Sequence, residues 1–120
     1  IQQMEAAGSK RKDLLVALGP AVSGPNYQVE RQVSSQLGEI EQLQAIAAVL
    51  PDSKPGCDRL DIRRAAWWQL KQLGLTEAQI SSCPLCTVAE PELFHSWRRD
   101  QVKAVQWSCI VSSSSVEMQR

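Results

Sequence analysis

The clearest strand signal in this chain is the stretch Val102-Lys103-Ala104-Val105-Gln106-Trp107-Ser108-Cys109-Ile110-Val111. Its side chains alternate between two faces, and its β-branched and aromatic residues suit a strand that is covered on at least one face. Directly before it stands Phe94-His95-Ser96-Trp97-Arg98-Arg99-Asp100, which contains the only histidine of the chain and an arginine pair. We therefore predict a sheet with polar side chains at the edge where this strand begins.

Length and charge limit the classes of protein to consider. The 120 residues are enough for one domain, and 13 basic residues balance 13 acidic ones. No overall field attracts nucleic acid or an anionic membrane, and no apolar run approaches the roughly 18 to 20 residues that cross a bilayer. We therefore predict neither nucleic acid nor membrane as a partner. Four cysteines are too few for a secreted disulfide scaffold and favour a reducing compartment.

The first third of the chain predicts a helix end, a strand and a loop. Residues 1–8 are typical of the last two turns of a helix that ends at Gly8. The apolar run at residues 14–18 predicts an interior strand. Gly19 and Pro20 close that strand and open a shaped loop, and loops after strands are common ligand positions.

Periodic apolar residues predict two helices in the middle of the chain. Apolar side chains recur three or four residues apart over residues 27–50, with Gly38 as a point of division. The same spacing over residues 60–73 predicts a second helix, which Gly74 ends. Much of the chain between the two predicted strands is therefore expected to be helical.

The last third of the chain carries three further signals. Thr76-Glu77-Ala78-Gln79 fits a capping box, so a short helix is predicted to open there. Residues 80–87 contain Pro84 and predict a short edge strand or extended segment. The polar residues 113–120 predict a disordered tail.

Cys83-Pro84-Leu85-Cys86 has the spacing of two metal ligands or of a redox pair. A zinc site needs two more ligands, which His95 with Cys57 or Cys109 supplies only if the fold gathers them. One hypothesis is therefore a small zinc-binding or thiol-redox interaction module. The other is that these thiols are buried and inert, as most free cysteines are.

Two arginine pairs are candidates for binding an anion. In Arg98-Arg99-Asp100 the carboxylate can hold a planar guanidinium ready for phosphate or carboxylate, whereas a salt-bridged surface turn is the alternative. Arg63 and Arg64 are interpreted as a solvated pair on a helix face.

His95 is the one side chain that ordinarily titrates near neutral pH, and it is interpreted as a packed or exposed residue before a strand. Trp97 is the tryptophan best placed for a ligand. No phosphate-binding P-loop, zincin motif or Ser-His-Asp set is present, so these residues alone do not name a reaction.

Four blocks of the chain resemble the second half of the laccase-domain family, which was labelled multicopper polyphenol oxidase and is regarded as a family of purine nucleoside phosphorylases and adenosine deaminases. The blocks are Leu18-Gly19-Pro20-Ala21-Val22-Ser23-Gly24-Pro25-Asn26-Tyr27-Gln28-Val29, Leu60-Asp61-Ile62-Arg63-Arg64, Cys86-Thr87 and Phe94-His95-Ser96-Trp97-Arg98-Arg99-Asp100. The family typically ends in Phe-Phe-Ser-Tyr-Arg-Arg-Asp. Because His95 replaces a phenylalanine of that block, it inherits no catalytic role.

The resemblance implies an α+β fold, a mixed β-sheet with packed helices, which is incomplete here because N-terminal strands are missing. The family's zinc-binding and catalytic residues belong to Ala-Asp-Cys and His-Ala-Gly-Trp-Arg-Gly motifs expected upstream of Ile1. Residues 1–112 are then the C-terminal part of a laccase-like domain, with no catalytic residue or metal ligand of the family among them. We expect this fragment alone to be inactive.

By the resemblance, the full-length protein is a zinc-dependent purine nucleoside phosphorylase and adenosine deaminase that acts on a purine nucleoside with phosphate. The older family label adds copper as an alternative cofactor. The implied compartment is the cytoplasm, with the plastid as the alternative. Arg98, Arg99, Gly19 and Pro20 are the predicted substrate-binding residues, and Cys86 with Thr87 is expected to give structural support.

Overall fold

The computed structural model describes residues 1–112, which form five short helices and five short strands. The helices are α1 (Gln2–Ala6), α2 (Arg31–Ser35), α3 (Ile40–Ala45), α4 (Ile62–Gln72) and α5 (Trp97–Asp100). The strands are β1 (Val16–Leu18), β2 (Gln28–Glu30), β3 (Val49–Pro51), β4 (Cys57–Leu60) and β5 (Ile80–Ser82). The tail predicted at residues 113–120 lies outside the described residues. Within residues 1–112, no helix combines the length and apolar character needed to cross a membrane.

The strands form two small sheets. β1 and β5 run parallel, with Val16 opposite Ile80 and Leu18 opposite Ser82. The other sheet is antiparallel, and β4 lies between β2 and β3. The predicted α+β class with mixed strand directions is therefore confirmed.

The hydrophobic core lies on the three-stranded sheet. α3 contributes Leu43, which is 1% exposed, and α4 contributes Ala65. The buried cluster comprises Val29, Leu43, Ala48, Val49, Leu60 and Ala65. Burial of these apolar side chains on one sheet stabilises helices that are too short to persist alone in water.

The helix predicted over residues 27–50 is wrong in its extent, because this range contains β2, α2, α3 and the start of β3. Val29 precedes Val33 by four residues, which suits a helix face, yet Val29 is buried in β2 opposite Asp58. A spacing of four also places two residues on one face of a strand, so strand pairing decided the outcome. The predicted division at Gly38 is confirmed, with φ at 67°.

The helix predicted over residues 60–73 starts later than expected. Leu60 belongs to β4, a strand that the periodicity did not reveal, and α4 starts after Asp61. The Asp61 carboxylate accepts a hydrogen bond from the backbone N–H of Arg64 at 3.0 Å, which satisfies one free donor of the first turn. Gly74 follows the helix at φ 88°, so the predicted end is confirmed.

The predictions around the parallel sheet are confirmed except for the position of β1. α1 lies within residues 1–8, Thr76 and Gln79 form the capping box before a short 3₁₀ turn, and β5 is an edge strand. The strand predicted at residues 14–18 is shortened to β1. Within residues 1–112 it is not interior, because its sheet there contains one other strand and Leu15 is 75% exposed.

The strand predicted over residues 102–111 is wrong for the described part of the chain, where this segment has no ladder partner. Its apolar side chains are exposed, by 78% for Val105 and 86% for Trp107. Alternation predicts which side chains share a face. A strand forms only where a neighbour accepts and donates its backbone hydrogen bonds, and none of β1 to β5 does so here.

A buried polar pair ties α2 to β4. The hydroxyl of Ser34, which is 0% exposed, donates to the carboxylate of Asp58, which is 8% exposed. We expect Ser34→Ala to lower the free energy of unfolding by about 1–3 kcal/mol, because a buried carboxylate loses its donor. Urea unfolding measures this loss. The matched variant Ser35→Ala, at the exposed next residue, should cost less than about 0.5 kcal/mol, and equal costs would contradict the pairing.

Candidate functional site

The carboxyl ends of β1 and β5 lead into two loops that run side by side. Parallel strands end at the same edge of their sheet, so residues 19–27 and 83–100 meet there. Ala21 and Cys86 form an isolated parallel bridge, and the Thr87 N–H donates to the Ala21 carbonyl at 3.1 Å. We call these two segments the two-loop site.

The first loop opens at Gly19 and Pro20, two of the predicted substrate-binding residues. A Cβ on Gly19 would lie 3.1 Å from the Ser108 hydroxyl oxygen, so a larger residue would require that side chain to shift by a few tenths of an ångström. Gly19 lines a cavity of about 440 Å³ together with residues 81–83 and 108–110. The loop therefore shapes one wall of an open space at the end of β1.

Cys86 is the centre of the hydrogen bonds between the loops. Its buried sulfur accepts hydrogen bonds from the Ser23 backbone N–H at 3.2 Å and from Asn26 Nδ2 at 3.5 Å. Burial raises the pKa of this thiol, but hydrogen bonds from Ser23 and from the backbone N–H groups of Ala89 and Val88 lower the pKa from 9.0 to about 6. These hydrogen bonds therefore favour the thiolate form of Cys86.

The lowered pKa of Cys86 links stability to pH. A thiol whose folded pKa lies below its unfolded pKa stabilises the folded state in its ionised form. We expect this stabilisation to be fully present above pH 9.0 and to disappear as the pH falls through about 6. Urea unfolding across this range measures how the free energy of unfolding depends on pH. Cys86→Ser should flatten this dependence, whereas Cys109→Ser, at an exposed thiol, should leave it unchanged. Identical pH profiles for Cys86→Ser and the parent chain would contradict the assignment.

Arg99 holds the second loop together. Its Nη1 donates to the carbonyls of Thr87 at 2.8 Å and Val88 at 3.1 Å, and its Nη2 donates to that of Phe94 at 2.7 Å. Nε and Nη2 also each donate to the Asp100 carboxylate at 2.8 Å. This side-chain hydrogen bonding raises the pKa of Arg99 and lowers that of Asp100. All five N–H donors of the guanidinium are therefore engaged within the chain.

Arg98 contacts different groups from Arg99. Its guanidinium lies 4.8 Å from the centre of the Tyr27 ring, and Nη1 donates to the Gln28 carbonyl at 2.8 Å. Arg98 lines a cavity of about 350 Å³ with Lys54 and Glu30. Ring and carbonyl fix the guanidinium plane, while Nε and Nη2 have no protein acceptor among residues 1–112. With two cations and one carboxylate, this cavity carries a net positive charge.

His95 lies beside the arginine pair without a catalytic partner of its own. Its Nδ1 is 3.8 Å from the carboxylate of Asp100, beyond hydrogen-bond distance. Its Nε2 is buried and has no hydrogen-bond partner in the described part of the chain. Trp97, the tryptophan predicted to suit a ligand, is 50% exposed on α5.

The described residues do not assemble the metal site considered from the sequence. Within residues 1–112, no group of three or more His, Cys, Asp or Glu side chains is arranged to hold a metal ion. Cys57 is buried in β4, Cys109 is exposed, and all four cysteines are free. The ligand set of Cys83, Cys86 and His95 with Cys57 or Cys109 is therefore wrong for this part of the chain.

Arg63 is a positioning residue that its place in the sequence does not reveal. It was interpreted as solvated, but its Nη1 donates to the Leu85 carbonyl at 2.6 Å and to the Cys83 carbonyl. Arg63 therefore fastens the start of the second loop to α4. No local pattern reveals this contact, because the two carbonyls lie 22 and 20 residues further along the chain.

The described residues thus form an α+β fold with two loops at the carboxyl ends of a pair of parallel strands. The family described as multi-copper polyphenol oxidoreductase laccase matches residues 1–113, and the chain belongs to that family. The resemblance found in the sequence is thereby confirmed.

Curated relatives and solved structures agree with this family. A purine nucleoside phosphorylase of Synechocystis sp. is 42% identical over 93% of this chain and 48% of its own length. The purine nucleoside phosphorylase YlmD of Bacillus subtilis is 34% identical over 85% of this chain and 36% of its own length. The crystal structure of the Bacillus licheniformis hypothetical protein YfiH matches with a TM-score of 0.71 at 31% identity, covering 83% of this chain and 37% of that one. The chain thus spans about half, or less, of the length of these relatives.

Proposed function

We propose that this chain is part of a purine nucleoside phosphorylase, an enzyme that cleaves a purine nucleoside with inorganic phosphate. The observation that carries the proposal is the 42% identity, along 93% of the chain, to a relative of that name. Because the chain spans 48% of that relative, the activity is proposed for the whole domain, with residues 1–112 as its C-terminal part. Its substrates are then a purine nucleoside and phosphate.

Arg98 is the residue to which we assign phosphate. In phosphorolysis a phosphate oxygen bonds to C1′ of the ribose while the bond from C1′ to the base nitrogen breaks, and the base leaves with the electron pair and takes up a proton. The attacking group is an anion, so a guanidinium with two unengaged nitrogens can hold it bidentately. Tyr27 and the Gln28 carbonyl support this role because they fix the plane of the Arg98 guanidinium.

The other three predicted substrate-binding residues receive positioning roles in the proposal. Arg99 donates to three carbonyls of the second loop and so sets the direction in which its neighbour Arg98 leaves α5. Gly19 and Pro20 shape the first loop, which Cys86 ties to the second. In this proposal Arg98 holds phosphate, and Arg99 holds the loop that positions Arg98.

Zinc dependence and adenosine deamination are proposed on the family resemblance alone. The described residues do not fit a zinc site, since the Cys86 sulfur already accepts two hydrogen bonds and no other ligand group gathers beside it. Any zinc ligands of the whole domain are therefore proposed to lie in the Ala-Asp-Cys and His-Ala-Gly-Trp-Arg-Gly motifs, which this sequence does not contain.

A hybrid enzyme tests the proposed function. This chain replaces the matching 48% of the Synechocystis relative, and cleavage of inosine is measured with phosphate present. We expect the hybrid to release hypoxanthine and the isolated 120-residue chain to release none. The unaltered relative is the positive control, and far-UV circular dichroism establishes that the hybrid is folded. A folded hybrid without activity, or an active isolated chain, would contradict the proposal.

A further inference from the structure

A cavity of about 690 Å³ lies at the start of α4, and the roles proposed above do not use it. Its size falls within the range of about 300–1,000 Å³ that is common for small-molecule sites. The first two turns of α4 form one wall, and the Ser23 turn and the chain after β5 form the others. The side chains used below are Asp61, Arg63, Arg64 and Trp67.

Trp67 gives this cavity a flat aromatic surface. It lies on the same side of α4 as Arg63 and Arg64, because residues three and four apart are neighbours on a helix. The Lys71 amine lies over one face of the Trp67 ring, 5.6 Å from its centre, which adds positive charge there and leaves the opposite face for a ligand. An electron-rich planar ring can therefore stack here beside cations.

Arg64 is the cation best able to meet a ligand. Its Nη1 donates to the Ile46 carbonyl at 3.2 Å, a single contact that leaves other N–H donors of this exposed guanidinium unengaged within residues 1–112. Arg63, in contrast, is occupied by the Cys83 and Leu85 carbonyls. Arg64 therefore suits a bidentate anion such as phosphate.

The carboxylate of Asp61 does not cancel this positive charge. One Asp61 oxygen already accepts the Arg64 backbone N–H as the cap of α4. Arg63, Arg64 and Lys71 leave the first three turns of the helix with an excess of two positive charges over that carboxylate. An anionic ligand is favoured over a neutral or cationic one.

We propose that this cavity binds a nucleoside monophosphate, with the base stacked on Trp67 and the phosphate held by Arg64. The aromatic surface and the guanidinium lie on one helix face, about one turn apart, so one molecule can contact both. This inference goes beyond the proposed function and does not depend on it, because phosphorolysis needs a nucleoside and phosphate but no nucleotide.

Isothermal titration of the full 120-residue chain tests the site, with adenosine monophosphate, adenosine, ribose 5-phosphate and inorganic phosphate as separate probes. We expect adenosine monophosphate to bind at least about tenfold more tightly than each of the other three, since only it engages both groups. Absence of saturable binding, or equal binding of inorganic phosphate, would overturn the proposal.

Variants of Arg64 and Trp67 assign the contacts. Arg64→Gln should weaken nucleotide binding about tenfold or more with little effect on adenosine, and Trp67→Ala should weaken both. Trp67→Phe, which keeps an aromatic ring, should retain most of the affinity and covers the case in which Trp67→Ala does not fold. Arg31→Gln, at an arginine with a 68% exposed side chain away from this cavity, is the matched control. Unchanged affinity in both Arg64→Gln and Trp67→Ala, or a loss in Arg31→Gln equal to that in Arg64→Gln, would also overturn the proposal.

Discussion

Replacement of Leu43 by alanine is expected to lower the free energy of unfolding by about 2–5 kcal/mol, a large share of the stability of a small domain. Leu43 is 1% exposed on α3 and belongs to the buried cluster that includes Val49 and Leu60. Truncation removes apolar contacts and leaves a cavity that the surrounding sheet and helices fill only partly. The loss tests whether α3 packs on the three-stranded sheet.

Urea unfolding followed by circular dichroism measures the effect of Leu43→Ala. Leu15→Ala is the matched control, because Leu15 is 75% exposed beside β1 and should cost less than about 0.5 kcal/mol. Leu43→Met, which roughly conserves volume, should cost less than about 1.5 kcal/mol. If Leu43→Ala costs no more than Leu15→Ala, the packing of α3 described above is wrong.

Replacement of Arg98 by glutamine should raise the KM for phosphate about 10- to 150-fold in the active hybrid enzyme, since a hydrogen bond to a charged group contributes about 1.5–3 kcal/mol. The KM for the nucleoside should change little, because the guanidinium is assigned to phosphate alone. Arg98→Lys should recover part of the affinity, as a point charge without the planar fork.

Steady-state kinetics with each substrate varied separately measure the effect of Arg98→Gln. Arg31→Gln, at an exposed arginine of α2, should leave both KM values unchanged. A rise of the nucleoside KM alone, or equal effects of the two variants, would remove Arg98 from the phosphate site.

Much of the fold could be predicted from local chemistry. The stops at Gly8, Gly38 and Gly74 follow from left-handed backbone that glycine adopts at little cost, and all three have positive φ. The capping box at Thr76 is equally local. Where a feature depends on a few neighbouring residues, the sequence is sufficient.

Features that depend on distant partners could not be predicted. β2 and β4 pair across some thirty residues, as Gln28 opposite Arg59 illustrates, and Val29 fits a helix or a strand equally well until that partner is known. Residues 102–111 have ideal alternation but no neighbouring strand among the described residues. Periodicity describes one segment, whereas a sheet needs two.

The candidate site also combines features that the local sequence predicts with features that depend on distant residues. Arg98 and Arg99 were identified as candidates from residue type and the adjacent carboxylate. These features could not reveal that Arg99 donates hydrogen bonds to its own loop, whereas Arg98 stacks on Tyr27. The lowered pKa of Cys86 could not be predicted, because its donors come from a loop some sixty residues earlier, such as the Ser23 N–H. The chemistry of a side chain is local, but its pKa and its free donors are set by the tertiary structure.

The stoichiometry of the products formed by the hybrid enzyme tests the central claim most directly. Inosine is incubated with the hybrid, with and without phosphate, and hypoxanthine and ribose 1-phosphate are quantified together. The account predicts equal amounts of the two products and no cleavage without phosphate. Release of hypoxanthine with free ribose, independent of phosphate, would contradict the assignment of this chain to a purine nucleoside phosphorylase.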